Sequence, residues 1–227
     1  MRPVLVLRPE PGNTITCAAA RALGLRPIAA PLFAYAPRDW RLPGGATQWD
    51  GLLIGSAAVF AHGGAGLGAL RTIPVHAVGA ASARAATGAG FTIAGTGSGG
   101  LQCVVAALPP GRYLRLAGEA HVPLTPPAGV TVDDVIVYAA NPQPLDRAAI
   151  ALARRAPTVA LLHSAEAARH FAEQCTAHDL PRQRIVLVCL GPRIAAAAGT
   201  DWQEIGIAQR PDDDAVLSLA QQMCQIV

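Results

Sequence analysis

The feature that most constrains this chain is that it carries one structural unit twice. The run Leu52-Leu53-Ile54-Gly55-Ser56-Ala57-Ala58 aligns with Ala160-Leu161-Leu162-His163-Ser164-Ala165-Glu166, 108 positions further on. The next strand and glycine, Ala77-Val78-Gly79, align with Cys189-Leu190-Gly191 at a displacement of 112. Each copy is a strand ending in serine, a helix, a strand ending in glycine, a second helix, and a last strand and helix that close near Leu108 and near Cys224. A repeat at a fixed distance dictates architecture before any motif does.

Inside the repeats, short continuous apolar runs alternate with alanine-rich stretches. That is how a parallel sheet covered by helices reads in sequence, because its strands are buried on both faces. The pattern predicts strands at 4–7, 27–32, 51–56, 75–79, 91–94, 112–116, 132–138, 158–164, 185–190 and 204–208. Helices are predicted at 14–23, 57–67, 80–87, 100–108, 145–155, 165–176, 192–198 and 213–224. Three strands per repeat are few for a stable sheet. The strands at 4–7 and 27–32, and those at 112–116 and 132–138, are available to complete the two sheets, and periodicity leaves open which pair joins which. Proline- and glycine-containing stretches at 31–45 and 139–144 read as connections.

Length and composition agree with two small domains: 227 residues, of which 52% are hydrophobic, can fill two cores. No apolar run approaches the roughly 20 residues of a membrane span. Met1-Arg2-Pro3 leads straight into a strand-like run, so a secretory leader is not expected and the chain is read as cytoplasmic. The five cysteines are scattered, which predicts neither a disulfide frame nor a metal site. All 18 basic residues are arginine. Without lysine, Schiff-base and P-loop chemistry are excluded, while recognition of carboxylates by guanidinium forks stays open. Dispersed basic residues and 4% aromatics argue against a nucleic-acid surface.

The strand-end serines Ser56 and Ser164 stand where an N-cap is expected. With the turns at Gly79 and Gly191, these helix starts would present amide groups and positive dipole ends at the carboxyl ends of strands. Four such termini facing one cleft would suit a polycarboxylate. The segment Gly95-Thr96-Gly97-Ser98-Gly99-Gly100 satisfies the G-x-G-x-x-G dinucleotide pattern but follows the third strand of its repeat and has no glycine counterpart near Ala208–Asp212, so it reads as a connection. The six histidines lack metal or protease spacing and are read as structural or solvent-facing. Asp212-Asp213-Asp214 reads as the cap and first turn of the last helix. Tyr138 ends a strand just before Asn141-Pro142, where the chain passes between domains, and its phenol could serve as a neutral proton donor.

These residues resemble the uroporphyrinogen-III synthases. The likeness lies in an opening strand ending Val6-Leu7-Arg8-Pro9, the Gly55-Ser56-Ala57-Ala58-Val59 strand end, and the Val78-Gly79-Ala80-Ala81-Ser82-Ala83 turn. It continues in Leu114-Arg115-Leu116-Ala117-Gly118, in Val137-Tyr138 before a proline-containing crossover, and in the second Ser-Ala and Gly-Pro units in the same order. The resemblance implies an α/β fold of two flavodoxin-like parallel-sheet domains joined by a two-stranded connector. One domain would comprise residues 1–33 plus 141–227 and the other 37–136, with the connector at 33–37 and 136–141. It also implies a monomeric, cofactor-free lyase that closes the linear tetrapyrrole hydroxymethylbilane into uroporphyrinogen III, inverting ring D and losing water. Tyr138 would match the family's general acid. Arg8, Ser56, Ala57, Gly79, Ser82, Gly118, Ser164, Ala165, Gly191 and Arg193 would hold the substrate's acetate and propionate groups. The chain departs from the family pattern at Ala58, Ile194 and His121. A non-catalytic binder of a small anionic ligand and, on Gly95–Gly100, a dinucleotide-dependent oxidoreductase are the rival readings.

Overall fold

A computed structural model describes residues 2–225. In chain order the elements are β1 (Pro3–Val6), α1 (Gly12–Ala22), β2 (Arg26–Ala29), β3 (Phe33–Pro37), β4 (Gly51–Ile54), α2 (Ala58–His62), β5 (Val75–Val78), α3 (Gly79–Gly88), β6 (Ile93–Gly97), α4 (Leu101–Ala106), β7 (Gly111–Gly118) and β8 (Val130–Pro142). They continue with α5 (Arg147–Arg155), β9 (Thr158–Leu162), α6 (Ala165–Ala177), β10 (Ile185–Cys189), α7 (Pro192–Ala198), β11 (Glu204–Ile207) and α8 (Asp213–Gln225). The chain divides into two compact units, Met1–Ala34 with Asn141–Val227, and Tyr35–Ala140.

The first unit is built on a five-stranded sheet in the order β11-β10-β9-β1-β2, paired in parallel throughout. Periodicity left the partner of β1 and β2 open; the sheet order puts both beside the second repeat. Every residue of β1, β9 and β10 is buried, the two-sided burial that made them legible as apolar runs. On one face Val4, Val6, Val159, Leu161, Val186 and Val188 meet Cys17 and Ala20 of α1 and Val216, Leu217 and Ala220 of α8. Small alanines let these helices lie close to the strands. Phe171 of α6 is fully buried and stacks on Trp202, with ring centroids 5.7 Å apart and planes at 10°. Burying a side chain of that size contributes roughly 1.5–3 kcal/mol.

The second unit is a six-stranded sheet in the order β3-β8-β7-β4-β5-β6. β7 and β8 are the strands that complete the first repeat, running parallel from Gly111↔Val130 to Gly118↔Tyr138. Leu52, Ile54, Val75, Ala77, Leu114, Leu116 and Val137 form its core with Val59, Leu67, Leu70 and Phe91.

Two elements differ from the sequence expectation. The helix expected over 57–67 is only Ala58–His62, followed by a 3-10 turn at Ala65–Leu70. Gly63-Gly64 breaks it, because Gly64 takes φ +70, a left-handed conformation that glycine enters without penalty. The strand expected at 91–94 lies at Ile93–Gly97, so Gly95 and Gly97 belong to β6 and pair with His76 and Val78 of β5. Two of the motif's glycines thus lie in a strand ladder rather than in the tight turn that a dinucleotide fingerprint uses.

Candidate active site

In an open parallel sheet, ligands meet the carboxyl ends of the strands where strand order reverses, since neighbouring loops there diverge and leave a crevice. The second unit has that point between β4 and β7, and a cavity of about 280 Å³ opens there. Gly55 and Ser56 after β4, Val78 at the end of β5, Arg115 and Gly118 of β7, His121 beyond it, and Tyr138 of β8 all line it. Three residues singled out from sequence, Ser56, Gly118 and Tyr138, are therefore brought together.

Tyr138 is half-buried, its ring edge-on to Tyr35 at 5.3 Å between centroids and 83° between planes. His62 lies 5.4 Å from Tyr35 and 6.3 Å from Tyr138. Gly118, the register partner of Tyr138, leaves the ring its space: a Cβ there would fall 2.7 Å from Cε2 and Cζ and 2.9 Å from the hydroxyl. Among the described residues the Tyr138 hydroxyl has no hydrogen-bond partner, so its proton is free for a ligand. The Ser56 hydroxyl accepts from the Ala58 amide at 3.2 Å, turning the chain into α2 beside Ala57. Gly79 opens α3 with φ +74, and Ser82 is buried within that helix.

The same cavity holds a residue that sequence reasoning passed over. Arg115 is 6% exposed and donates from Nη1 to the Val122 carbonyl at 2.9 Å, with the Asp134 carboxylate at 3.7 Å. Burial pushes its pKa down, opposed by Asp134 and Tyr138; an arginine stays charged at neutral pH nonetheless. His121 spans the Gly118 carbonyl at 2.9 Å and Asp134 at 3.2 Å. The signal that could have found Arg115 is a lone charge inside the apolar run Tyr113-Leu114-Arg115-Leu116.

The first unit reverses strand order between β9 and β1. Arg8 follows β1 there, and Ser164 and Ala165 follow β9. Ser164 caps α6, its hydroxyl accepting from the Ala167 amide at 3.1 Å. Gly191 caps α7, and Arg193 is exposed on its first turn. Arg8 is engaged within the protein: Nη1 lies 2.8 Å from both Asp213 carboxylate oxygens. Thr16 donates to Asp213 at 2.6 Å, and His163 Nε2 lies 3.0 Å from it. Burial alone would push the Asp213 carboxyl up; the hydrogen bonds from His163 and Thr16 and the Arg8 charge overcome this and hold it at about 2. Asp212, as expected, caps α8 by accepting from the Ala215 amide at 2.8 Å. Asp213 beside it does more than complement the helix dipole, because it ties α8 to β1, α1 and the end of β9. The buried Asn13 secures the same corner, donating to the carbonyls of Val6 at 2.7 Å and Arg8 at 2.9 Å.

A larger depression of about 430 Å³, lined by Ile207, Gln209, Arg210, Asp214, Ser218 and Gln222, contains none of the residues singled out from sequence as site candidates. Among the described residues no group of histidine, cysteine, aspartate and glutamate has metal-site geometry, and no helix is long and apolar enough to cross a membrane.

Comparison with known proteins agrees with this architecture. The fold matches a uroporphyrinogen-III synthetase from Helicobacter pylori with TM-score 0.65 at 16% identity, over 98% of this chain and 100% of that one. It also matches a mutant uroporphyrinogen III synthase from the extremely thermophilic bacterium Thermus thermophilus with TM-score 0.52 at 17% identity, over 99% of this chain and 100% of that one. At such identities the likeness speaks for the fold alone. Curated proteins gave no sequence match. The sequence profile described as uroporphyrinogen-III synthase HemD, however, matches residues 16–218, most of the chain. The chain belongs to the uroporphyrinogen-III synthase family.

Proposed function

We propose that the cavity between β4 and β7 is where this chain carries out the first bond-breaking step of the family reaction, with Tyr138 as general acid. The family is one of cyclising lyases of heme biosynthesis acting on a tetrapyrrole. In that reaction hydroxymethylbilane becomes uroporphyrinogen III and water. The carbon–oxygen bond of the terminal hydroxymethyl group breaks as the adjoining pyrrole pushes electrons outward to form an azafulvene, and the departing oxygen takes a proton to leave as water. The far pyrrole then attacks to give a spiro-pyrrolenine, whose rearrangement inverts ring D before the macrocycle closes and a proton is released.

The observation that carries this reading is the free Tyr138 hydroxyl lining a cavity at the strand-order reversal. Phenols ordinarily hold their proton until about pH 10, so at physiological pH such a group can deliver one to a leaving oxygen. The rest of the task is geometric, because spontaneous closure gives the uninverted isomer. Holding a flexible chain in the conformation that favours the spiro route is an orientation effect. Ser56 and Gly118 shape the cavity around the phenol. In the first unit, the amides opening α6 at Ala165 and the exposed Arg193 offer contacts to acetate and propionate groups. The test is incubation of purified protein with hydroxymethylbilane and separation of the product isomers. Uroporphyrinogen III is expected, and uroporphyrinogen I alone would leave only the reading of a non-catalytic binder.

A further inference from the structure

We propose that Arg115 is a substrate-binding residue, its guanidinium pairing with a side-chain carboxylate of the hydroxymethyl-bearing terminal pyrrole and seating that ring beside Tyr138. The inference rests on the placement of the reaction in the second-unit cavity and adds to it the ring held and the group that holds it.

Three observations converge. The first is chemical. A guanidinium carries five donors in a planar fork, and Arg115 uses Nη1 on the Val122 carbonyl. Its acidic neighbour Asp134 stands at 3.7 Å, well beyond the roughly 2.7–2.9 Å of a charge-assisted hydrogen bond. The cation is thus held in place without its fork being filled. The second is electrostatic. A charge that is 6% exposed is expensive to keep unless it is paired and hydrogen-bonded, and its cavity is lined by Val59, Val78, Leu101, Leu116 and Ala117 as well as by the polar Ser56, His121 and Tyr138. A carboxylate entering beside these side chains would meet a largely desolvated guanidinium, whose attraction is stronger than that of a charge in open water. The third is size. A cavity of about 280 Å³ lies just below the roughly 300–1,000 Å³ of sites for drug-sized ligands, which matches one pyrrole with its two acidic side chains better than a whole tetrapyrrole. The ring that belongs there is the one whose hydroxyl must reach the Tyr138 phenol, which lines the same walls. His121 and Asp134 act as positioning residues, since Asp134 lies against both Arg115 and His121.

The test is steady-state kinetics of the full-length chain on hydroxymethylbilane with the product isomers separated. Wild-type protein must first give uroporphyrinogen III; failure at that stage rejects the reaction assigned to the chain, whatever Arg115 does. Given that activity, Arg115→Gln is expected to raise KM at least ~10-fold with kcat changed less than about threefold, since each good charge-assisted pair is worth roughly that factor or more. Arg115→Lys, which keeps the charge but loses the fork, should fall between. An unchanged KM in folded Arg115→Gln overturns the proposal. Should that variant fail to fold, Arg115→Lys provides the second arm, because it keeps the charge and loses only the planar fork. A raised KM with thermal stability retained supports the proposal, and wild-type KM in that folded variant overturns it.

Discussion

Replacing Asp213 with asparagine should destabilise the first unit by an amount that depends on pH in a defined way. The side chain is isosteric, so what changes is the charge that Arg8, Thr16 and His163 converge upon. The carboxyl is held at about 2, against about 3.9 in an unstructured chain. At roughly 1.36 kcal/mol for each tenfold change, that difference corresponds to about 2.5 kcal/mol at neutral pH. Because the folded-state value is the lower one, the stabilisation is complete above roughly pH 5. It falls as acid protonates the unfolded carboxyl first, to about half by pH 3, and is gone below about pH 2. A loss of about 2.5 kcal/mol in a chain of this size lowers the melting temperature by about 5–10 °C. The assay is thermal unfolding of wild type and Asp213→Asn by circular dichroism at neutral pH and at about pH 3. The gap in melting temperature should be wide at neutral pH and roughly halved in acid. Equal melting temperatures at neutral pH, or a gap that widens on acidification, would refute the assignment of that energy to the Asp213 cluster.

Other perturbations give sharp outcomes. Gly118→Ala should displace the Tyr138 ring, because the added methyl carbon would lie 2.7 Å from Cε2 and Cζ; a folded variant with wild-type turnover would show the ring position to be irrelevant. Phe171→Ala removes a fully buried ring stacked on Trp202 and should cost about 3–5 kcal/mol, read as a lowered denaturation midpoint. Among the five cysteines Cys103 is exposed, whereas burial pushes Cys175 up to about 12 and Cys189 to about 11 and raises Cys17 and Cys224. A thiol reagent at about pH 8 should therefore label Cys103 in the native protein and the remaining four only after denaturation; rapid labelling of a second thiol would contradict the burial.

The fold was legible to the extent that burial writes itself into short windows. Val4-Leu5-Val6-Leu7 and Ile185-Val186-Leu187-Val188 could be read as strands because both faces are covered, and the repeat placed Ser56 and Ser164 at strand ends, while the strand order that puts them at reversal points came only from the fold. Ser164 does cap its helix, whereas the Ser56 helix ends early because the Gly63-Gly64 break competes with alanine-rich propensity. Site residues were legible only one at a time. Tyr138 and Gly118 drew notice separately, yet that each dictates the other's shape follows from a β7–β8 register no local pattern contains. The resemblance assigned Arg8 to the substrate, and no local pattern could show its partner Asp213, 205 positions away. His163 and Asp213 each looked like ordinary strand- and helix-end residues until tertiary structure joined them. Arg115 was legible as a lone charge in an apolar run, but what that charge faces depends on walls drawn from β4, β5 and β8.

The most direct measurement is isomer-resolved turnover of Tyr138→Phe against wild type on hydroxymethylbilane. If the phenol delivers the proton that lets the hydroxyl leave, enzymatic formation of uroporphyrinogen III should fall roughly 10²-fold, within the usual span for losing a general acid, while uroporphyrinogen I accumulates at the uncatalysed rate. Formation of uroporphyrinogen III at the wild-type rate by the folded variant would show that the proton comes from elsewhere and that the cavity between β4 and β7 is not the seat of the bond-breaking step.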